Sequence, residues 1–308
     1  MRAPLPATLV ATVRAALGRR ARPGEPLARH TSFRIGGPAE LLVLPETPDE
    51  LTLALQSAAA HGVGVTLLGG GSNVLVGDGG IRGMVVQLGR GFSRVDWTAR
   101  ADGASVRAGA SVQLGRLARA AVARGLAGLE FAEGIPGTVG GALFMNAGAY
   151  GGDLAAVVEA VEGIDPAAGP QVFAGRALVF RYRRTELPAG FVVTTVRFAL
   201  RQEDEATLRR RLEAVRGRRV AAQPPGQSAG SVFKNPPGDH AGRLIESAGL
   251  KGIRAGRARI SRRHANFIVN EGGASACDVQ ALIELAQRVV WERERVWLEP
   301  EVRLVGSW

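Results

Sequence analysis

The segment Glu133-Gly134-Ile135-Pro136-Gly137-Thr138-Val139-Gly140-Gly141-Ala142, continued by Met145-Asn146-Ala147-Gly148-Ala149-Tyr150, decides how this chain is read. Glycine recurs there at every third position: Gly134, Gly137 and Gly140. A second glycine-rich segment, Leu68-Gly69-Gly70-Gly71-Ser72-Asn73, directly follows an expected strand. Glycine lets the backbone approach a ligand closely and lets successive N–H groups converge on an anion. Ser72, Asn73 and Thr138 add side-chain donors. Two such segments suit the two sides of a pyrophosphate, and the plain alternative is a set of tight turns between strands. Neither reads G-x-G-x-x-G opening a helix, nor G-x-x-x-x-G-K-[ST], so a Rossmann site and a P-loop are both disfavoured.

Outward from these segments the pattern alternates. The run Thr47-Pro48-Asp49-Glu50 has a capping threonine, a proline at the first helical position and a capping-box glutamate, and it predicts a helix ending near His61-Gly62. Strands are expected at Leu41 to Leu44, Val65 to Leu68, Val74 to Val76, Met84 to Leu88 and Ser105 to Ala108. Ser111 is expected to open an amphipathic helix with Leu114, Leu117, Ala121 and Val122 on one face, stopped at Gly125. Strands resume at Val157 to Ile164, Gln171 to Phe173, Leu178 to Tyr182 and Phe191 to Leu200. A long helix from Asp204 to Val220 breaks at Gln223-Pro224-Pro225-Gly226. Beyond that linker two capped helices are expected, Asp239 to Ala248 and Ser275 to Arg293. The strand Ala265 to Asn270 falls between them, and a last strand, Trp297 to Val305, carries Pro300. The N-terminal run, with Leu9, Val10, Val13 and Leu17 at helical spacing, reads as a mature helix and not a signal peptide. The class is α+β.

At 308 residues, 46% of them hydrophobic and 22% charged, the chain suits two or three domains with cores of their own. No apolar run approaches the roughly 18 residues of a membrane span. The lone Cys277 excludes an internal disulfide and multi-cysteine metal sites, and its helical context predicts a small core residue. A reducing, cytoplasmic setting fits. The net charge of +11 comes almost wholly from arginine spread along the chain, with lysine only at Lys234 and Lys251. It reads either as compositional bias on a solvated surface or as an attraction for anions. Rare residue types gain weight against that bias: asparagine occurs only at Asn73, Asn146, Asn235, Asn266 and Asn270, and tyrosine only at Tyr150 and Tyr182.

Two further clusters carry candidate chemistry. In Phe180-Arg181-Tyr182-Arg183-Arg184-Thr185-Glu186 the arginines either clamp a carboxylate or phosphate through the guanidinium fork or form a solvated strand end. The run Ser228-Ala229-Gly230-Ser231-Val232-Phe233-Lys234-Asn235-Pro236 places a serine, a lysine and an asparagine within five residues. The plain reading is a loop with an ordinary serine; no G-x-S-x-G elbow or Ser-His-Asp set accompanies it, so any chemical role for Ser231 is proton donation or hydrogen bonding and not nucleophilic attack. His30, His61, His240 and His264 lack metal-ligand spacing, and no metal is expected.

In this order, the segments closely resemble the UDP-N-acetylenolpyruvoylglucosamine reductase (UDP-N-acetylmuramate dehydrogenase) family. The resemblance starts at His30-Thr31-Ser32-Phe33-Arg34-Ile35-Gly36-Gly37-Pro38-Ala39 and covers nearly the whole chain. It runs through Gly69–Asn73, Gly79-Gly80-Ile81-Arg82-Gly83, Gly134–Tyr150, Tyr182–Arg183 and Gly230–Pro236 to Leu298-Glu299-Pro300-Glu301-Val302-Arg303. It implies a vanillyl-alcohol-oxidase/p-cresol-methylhydroxylase-type FAD-binding fold of two subdomains, residues 1–82 and 83–203. A C-terminal α+β substrate domain, residues 204–296, and a last strand, residues 297–308, complete it. It also implies non-covalent FAD, NADPH as co-substrate, and a role in peptidoglycan precursor synthesis, hence in cell-wall biogenesis, cell shape and division. The partners are small molecules, with no nucleic acid, membrane or obligatory protein partner expected.

Residue by residue, the resemblance makes Ser231 the donor of a proton to C2 of the enolpyruvyl group after hydride passes from flavin N5 to C3. It makes Arg183 the stabiliser of charge on the carboxylate, and Glu301 the glutamate that assists the intermediate. Cofactor contacts fall at Gly69, Gly70, Gly71, Ser72, Asn73, Ile135, Pro136, Gly137, Thr138, Gly140, Gly141, Asn146, Ala147, Gly148 and Arg219. Substrate contacts fall at Tyr182, Lys234, Asn235 and His264. Two departures stand out. Ala222 replaces the basic residue that many relatives carry before Gln-Pro. No tyrosine lies between Arg183 and Ser231, which implies the form lacking the tyrosine loop, with the sugar diphosphate held by residues around Arg262 to Asn266. The rival readings are a flavin oxidase or dehydrogenase of the same fold and a basic nucleotide-sugar or nucleic-acid binding protein without turnover.

Overall fold

Thr47 is extended and its hydroxyl accepts the Glu50 N–H at 3.2 Å, while Pro48 occupies the first helical position, so a helix starts where the sequence signals it. The computed structural model describes residues 4–308. Residues 1–3, the beginning of the run expected as an N-terminal helix, lie outside the described residues. The helices are α1 (Ala7–Leu17), α2 (Pro48–Ala60), α3 (Leu114–Val122), α4 (Val139–Phe144), α5 (Glu205–Ala222), α6 (Ala241–Ser247) and α7 (Ala276–Glu294). The chain divides into two compact units. One comprises the chain up to Arg22, Leu41–Gly70 and Gly83–Arg219; the other comprises Pro23–Glu40, Gly71–Arg82 and Val220–Trp308. The division falls inside the glycine-rich segment Leu68–Asn73, between Gly70 and Gly71.

Two large apolar clusters, and a smaller one of Val122, Ala127 and Leu208, lie in the first unit. In one, Leu9, Val13 and Leu17 of α1 and Leu51, Ala54, Leu55 and Ala58 of α2 pack with Leu41, Val43, Met84 and Val86. Strand Val65–Leu67 runs parallel to Ile81–Val86 there through Val65↔Met84, Thr66↔Val85 and Leu67↔Val86. In the other, α3 and α4 pack on a six-stranded sheet in the order Gly169–Ala174, Val158–Asp165, Val192–Gln202, Gly103–Gly109, Val95–Arg100, with Leu126–Ala127 added to Val192–Gln202. The strand alternation of Gly103–Gly109 and Val192–Gln202 puts Val106, Ala108, Val196 and Phe198 into this core.

The second unit packs α6 and α7 with Phe33, Ile35, Leu75, Val232, Phe233, Leu298 and Val302. Arg303–Val305 pairs in parallel with Val74–Val76, and a three-stranded sheet runs Arg254–Ala255, Ala258–Ile260, Ile268–Asn270. The Ser275 hydroxyl accepts the Asp278 N–H and the Asp278 carboxylate accepts the Ser275 N–H, a complete capping box for α7. The Asp78 carboxylate adds a second cap, accepting the Ala276 and Cys277 N–H groups at 2.8 and 3.1 Å.

Several local expectations change. Glu50 does not close a box on Thr47; it accepts the Glu46 N–H and pairs with Arg20. Helix α3 starts at Leu114 and not Ser111, because the Ser111 hydroxyl donates to the Leu88 carbonyl and Gln113 bridges to Thr138. The last strand shrinks to Arg303–Val305, since residues 299–302 bond to the Ser231 segment instead. The strand expected from Ala265 begins only at Ile268, because the Ser261 hydroxyl accepts the Arg263 and His264 N–H groups and holds a turn. Cys277, expected in the core, is exposed in the first turn of α7.

Candidate active site

In the first unit the two glycine-rich segments meet. A Cβ added at Gly70 would lie 2.8 Å from the Gly137 Cα, and one at Gly69 would lie 3.3 Å from the Thr138 Oγ1 and 3.5 Å from the Gly141 Cα. At Gly70 only a glycine backbone can come so close, whereas at Gly69 a side chain would be tight but not excluded. The segment Glu133–Ala142 reads in sequence as a loop, but its latter part belongs to α4. The Val139 and Gly140 N–H groups donate to the Val112 and Ala110 carbonyls, and Leu114 N–H donates to the Gly137 carbonyl. Those groups anchor the segment, while Gly69, Gly70, Gly134 and Pro136 stay exposed.

Arg219, near the end of α5, lies over this segment: a Cβ at Gly134 would come within 2.9 Å of its Cδ and 3.0 Å of its Nε. Burial lowers its pKa, and the Arg183 charge lowers it further against the opposing effects of Tyr150 and Glu133. Its guanidinium has no hydrogen bond or ion pair among the described residues, so a half-buried cation faces no carboxylate partner. Three residues of this unit hold left-handed backbone without being glycine: Asn146 (φ 38°), Tyr150 (φ 53°) and Arg183 (φ 58°). Such strain, of order 1–3 kcal/mol each, persists where the surroundings enforce it and clusters at functional sites. The Asn146 amide donates to the Arg181 carbonyl at 3.2 Å and accepts the Ala155 N–H at 3.0 Å. Ala147 N–H donates to Ala142 and accepts, through its carbonyl, from Leu154.

The arginine cluster resolves by partner. Tyr182 and Arg183 form the two-residue turn of a hairpin, Val179–Arg181 with Arg184–Glu186. Arg181 pairs with Glu186 at 2.8 Å at the surface. Arg183 is turned inward; its Nη1 donates to the Gly148 carbonyl at 2.9 Å and its guanidinium stacks over the Tyr182 ring at 5.0 Å. Arg218 stacks over Tyr150 at 4.8 Å, a contact that no spacing rule signals.

In the second unit Ser231 and Glu301 sit on adjoining segments. The Glu301 and Val302 N–H groups both donate to the Val232 carbonyl, at 2.7 and 3.2 Å, the two-against-one pattern of a β-bulge. Lys234 N–H donates to the Glu299 carbonyl, and Phe233 bridges to Pro300. From the other glycine-rich segment, the Asn73 amide donates to the Glu301 carbonyl at 3.0 Å and the Asn73 carbonyl accepts the Arg303 N–H at 3.0 Å. Gly71 is buried with φ 64°, where a Cβ would strike the His30 carbonyl oxygen; Ser72 beside it is half-buried. The Lys234 ammonium pairs with Glu299 at 2.5 Å. Asn235 accepts the Ala241 N–H at 3.1 Å, which caps α6, and its amide nitrogen has no partner among the described residues.

His264 is half-buried beside Phe267, and its Nδ1 accepts the Asn266 N–H at 3.2 Å. Burial lowers its pKa first and Lys251 second, so the ring is neutral at pH 7. Arg263, expected near the sugar diphosphate, donates to the Val220 and Ala221 carbonyls at the end of α5. Among the described residues no three histidine, cysteine or acidic side chains converge as a metal set.

Comparison with known proteins places this geometry. Residues 39–173 match the FAD binding domain family, and residues 222–305 match the family of UDP-N-acetylenolpyruvoylglucosamine reductase C-terminal domains. The chain is 47% identical over 301 residues to the UDP-N-acetylenolpyruvoylglucosamine reductase of Myxococcus xanthus, covering 97% of this chain and 96% of that protein. It is 46% identical over 289 residues to the reductase of Rubrobacter xylanophilus, covering 92% and 94%. The crystal structure of UDP-N-acetylenolpyruvylglucosamine reductase from Thermus caldophilus superposes with a TM-score of 0.80 at 40% identity, covering 92% of this chain and 98% of that one. With an FAD-binding domain followed by this C-terminal domain along nearly its whole length, the chain is an oxidoreductase and belongs to the UDP-N-acetylenolpyruvoylglucosamine reductase family.

Proposed function

We propose that this protein reduces UDP-N-acetylglucosamine enolpyruvate to UDP-N-acetylmuramate with electrons from NADPH, in the cytoplasmic synthesis of peptidoglycan precursor. The residues present fit FAD. Gly70 packed on Gly137, with Gly69 beside the Thr138 hydroxyl, supports a cradle where backbone can come close to the cofactor, and Arg219 beside Gly134 is a cation with no ion pair among the described residues. Gly69, Gly70, Gly71, Ser72, Asn73, the run from Ile135 to Gly141, Ala147, Gly148 and Arg219 are the residues that would hold it; Asn146 shapes that run from within. When bound, the flavin supplies two-electron hydride chemistry.

The chain's own residues do the rest. Arg183, held by the Gly148 carbonyl, binds the substrate carboxylate and offsets the charge that grows on it; such a stabiliser is worth about 3–4 kcal/mol. Ser231 gives its proton to C2. A serine hydroxyl is a very weak acid, so the donor has to be held in place and its neighbourhood has to favour transfer. Glu301, in the bulge opposite Val232, assists that transfer. Lys234, Asn235, Tyr182 and His264 orient the phosphates and sugar, with Lys234 exchanging Glu299 for phosphate.

The single observation that carries this reading is the joining of Ser231 and Glu301 through the Val232 carbonyl. The test is an anaerobic visible spectrum of the FAD-loaded protein. Bleaching of the flavin band by NADPH and its return on adding the enolpyruvyl nucleotide sugar are expected. Bleaching without return would reject the substrate, and no bleaching would reject the reductant.

A further inference from the structure

Asn266 is 3% exposed and lies in the irregular stretch between the Ser261 turn and strand Ile268–Asn270. Its side-chain oxygen accepts the Phe233 N–H at 2.9 Å and its side-chain nitrogen donates to the Phe233 carbonyl at 2.8 Å. Its main-chain carbonyl accepts the Val232 N–H at 2.8 Å, and Ser231 bridges to the adjacent Phe267. A primary amide offers the same donor and acceptor as a peptide unit. Asn266 therefore stands in for a strand residue where no strand runs, and both backbone groups of the buried Phe233 are satisfied. The opposite edge of the same three residues is held by Glu301 and Val302 on the Val232 carbonyl. Reversing the amide would break both side-chain bonds, so its orientation is determined.

We propose that Asn266 is a positioning residue for the protonation step: its amide clamp on Phe233 sets where Ser231 stands relative to Glu301. The inference rests on the roles proposed above for those two residues. The Asn266 hydrogen bonds go to Val232 and Phe233, and its effect passes through the backbone of residues 231–233. An isosteric Asn266→Asp change removes the donor and sets a carboxylate against the Phe233 carbonyl. Burial raises such a carboxyl's pKa, and the protonated form donates again.

The experiment compares FAD-loaded natural protein, Asn266→Asp and Ser231→Ala in anaerobic stopped flow. For Asn266→Asp, flavin binding and bleaching by NADPH are expected to be unchanged. The limiting rate of flavin return at saturating enolpyruvyl nucleotide sugar is expected to fall about 10²-fold, the cost of displacing a reacting group by roughly 1 Å, and to recover as pH is lowered. An unchanged return rate overturns the inference, as does a parallel loss of flavin binding or bleaching, which would mean general disruption. If Ser231→Ala returns the flavin at the natural rate, the role of Ser231 fails and the inference falls with it. If Ser231→Ala is slow and Asn266→Asp is not, only the clamp fails. Amide exchange of the natural protein needs no variant: the Phe233 N–H is expected to exchange slowly, and exchange as fast as that of exposed Gly238 overturns the clamp.

Discussion

At the scale of single residues, charge and proton inventory make the sharpest predictions. Arg219 is half-buried, burial lowers its pKa, and it makes no ion pair among the described residues. Arg219→Met is expected to weaken FAD binding about 10–100-fold, since hydrogen bonds to charged groups are worth about 1.5–3 kcal/mol; quenching of flavin fluorescence measures it, and unchanged affinity would place the anion elsewhere. Ser231→Ala is expected to leave flavin reduction intact and slow its return by about 10²–10⁴-fold, the usual cost of losing a positioned acid. His264 has a folded pKa below its unfolded value of about 6.5. The unfolded chain therefore binds the proton more readily. Its contribution to stability is complete above pH 6.5 and is lost as pH falls through the folded pKa. His264→Phe is expected to flatten that part of the stability profile in urea melts between about pH 7 and 5. Residue types alone drew attention to the arginine cluster around Arg183 and to the Ser231 run, whereas Glu301 came only through resemblance, because a lone glutamate beside a short strand announces no chemistry. Asn266 was visible as a rare residue, but its partner lies 33 positions away.

At the scale of elements, capping made starts legible where the cap is local. Thr47 and Ser275 both accept the N–H three residues on, as their sequence spacing requires. Caps from afar were not legible: Asp78 reaches the first turn of α7 across 198 residues, and Asn235, in place of Asp239, takes the Ala241 N–H. Asp78→Ala is expected to cost about 0.5–2 kcal/mol, the range for a lost N-cap, read as a lower urea midpoint. The same change has a second readout. The Asp78 carboxylate, through its hydrogen bond to the thiol and then burial and charge, holds the Cys277 pKa above its ordinary value. Alkylation of exposed Cys277 at pH 8 is expected to be faster in Asp78→Ala, and an equal rate would deny the contact. Short elements such as α4 and Arg184–Glu186, the second strand of the hairpin around Tyr182–Arg183, escaped the sequence because they carry too few residues to show a period.

At the scale of the whole molecule, a net charge of +11 suits anionic ligands, and the proposed substrate and the proposed reductant NADPH both carry phosphates. The Michaelis constants for both are expected to rise with salt as the Debye length falls from about 10 Å at 0.1 M to about 3 Å at 1 M. Flat salt profiles would assign the arginine excess to composition alone. Periodicity, glycine placement and local caps belong to the sequence by itself: they are set by side-chain volume and by hydrogen bonds spanning a few residues. On that footing the α+β class, α2, α3, α5 and α7, the strand Val74–Val76 and the two glycine-rich segments could all be read directly. What tertiary structure decided is which distant groups complete those pieces: Gly70 against Gly137, Arg219 over Gly134, Asn73 on Glu301 and Asn266 on Phe233. Each of these pairs a group that must not be left unsatisfied, or a space too small for a Cβ, with a partner brought there by chain folding, and no local rule of spacing records such a partner.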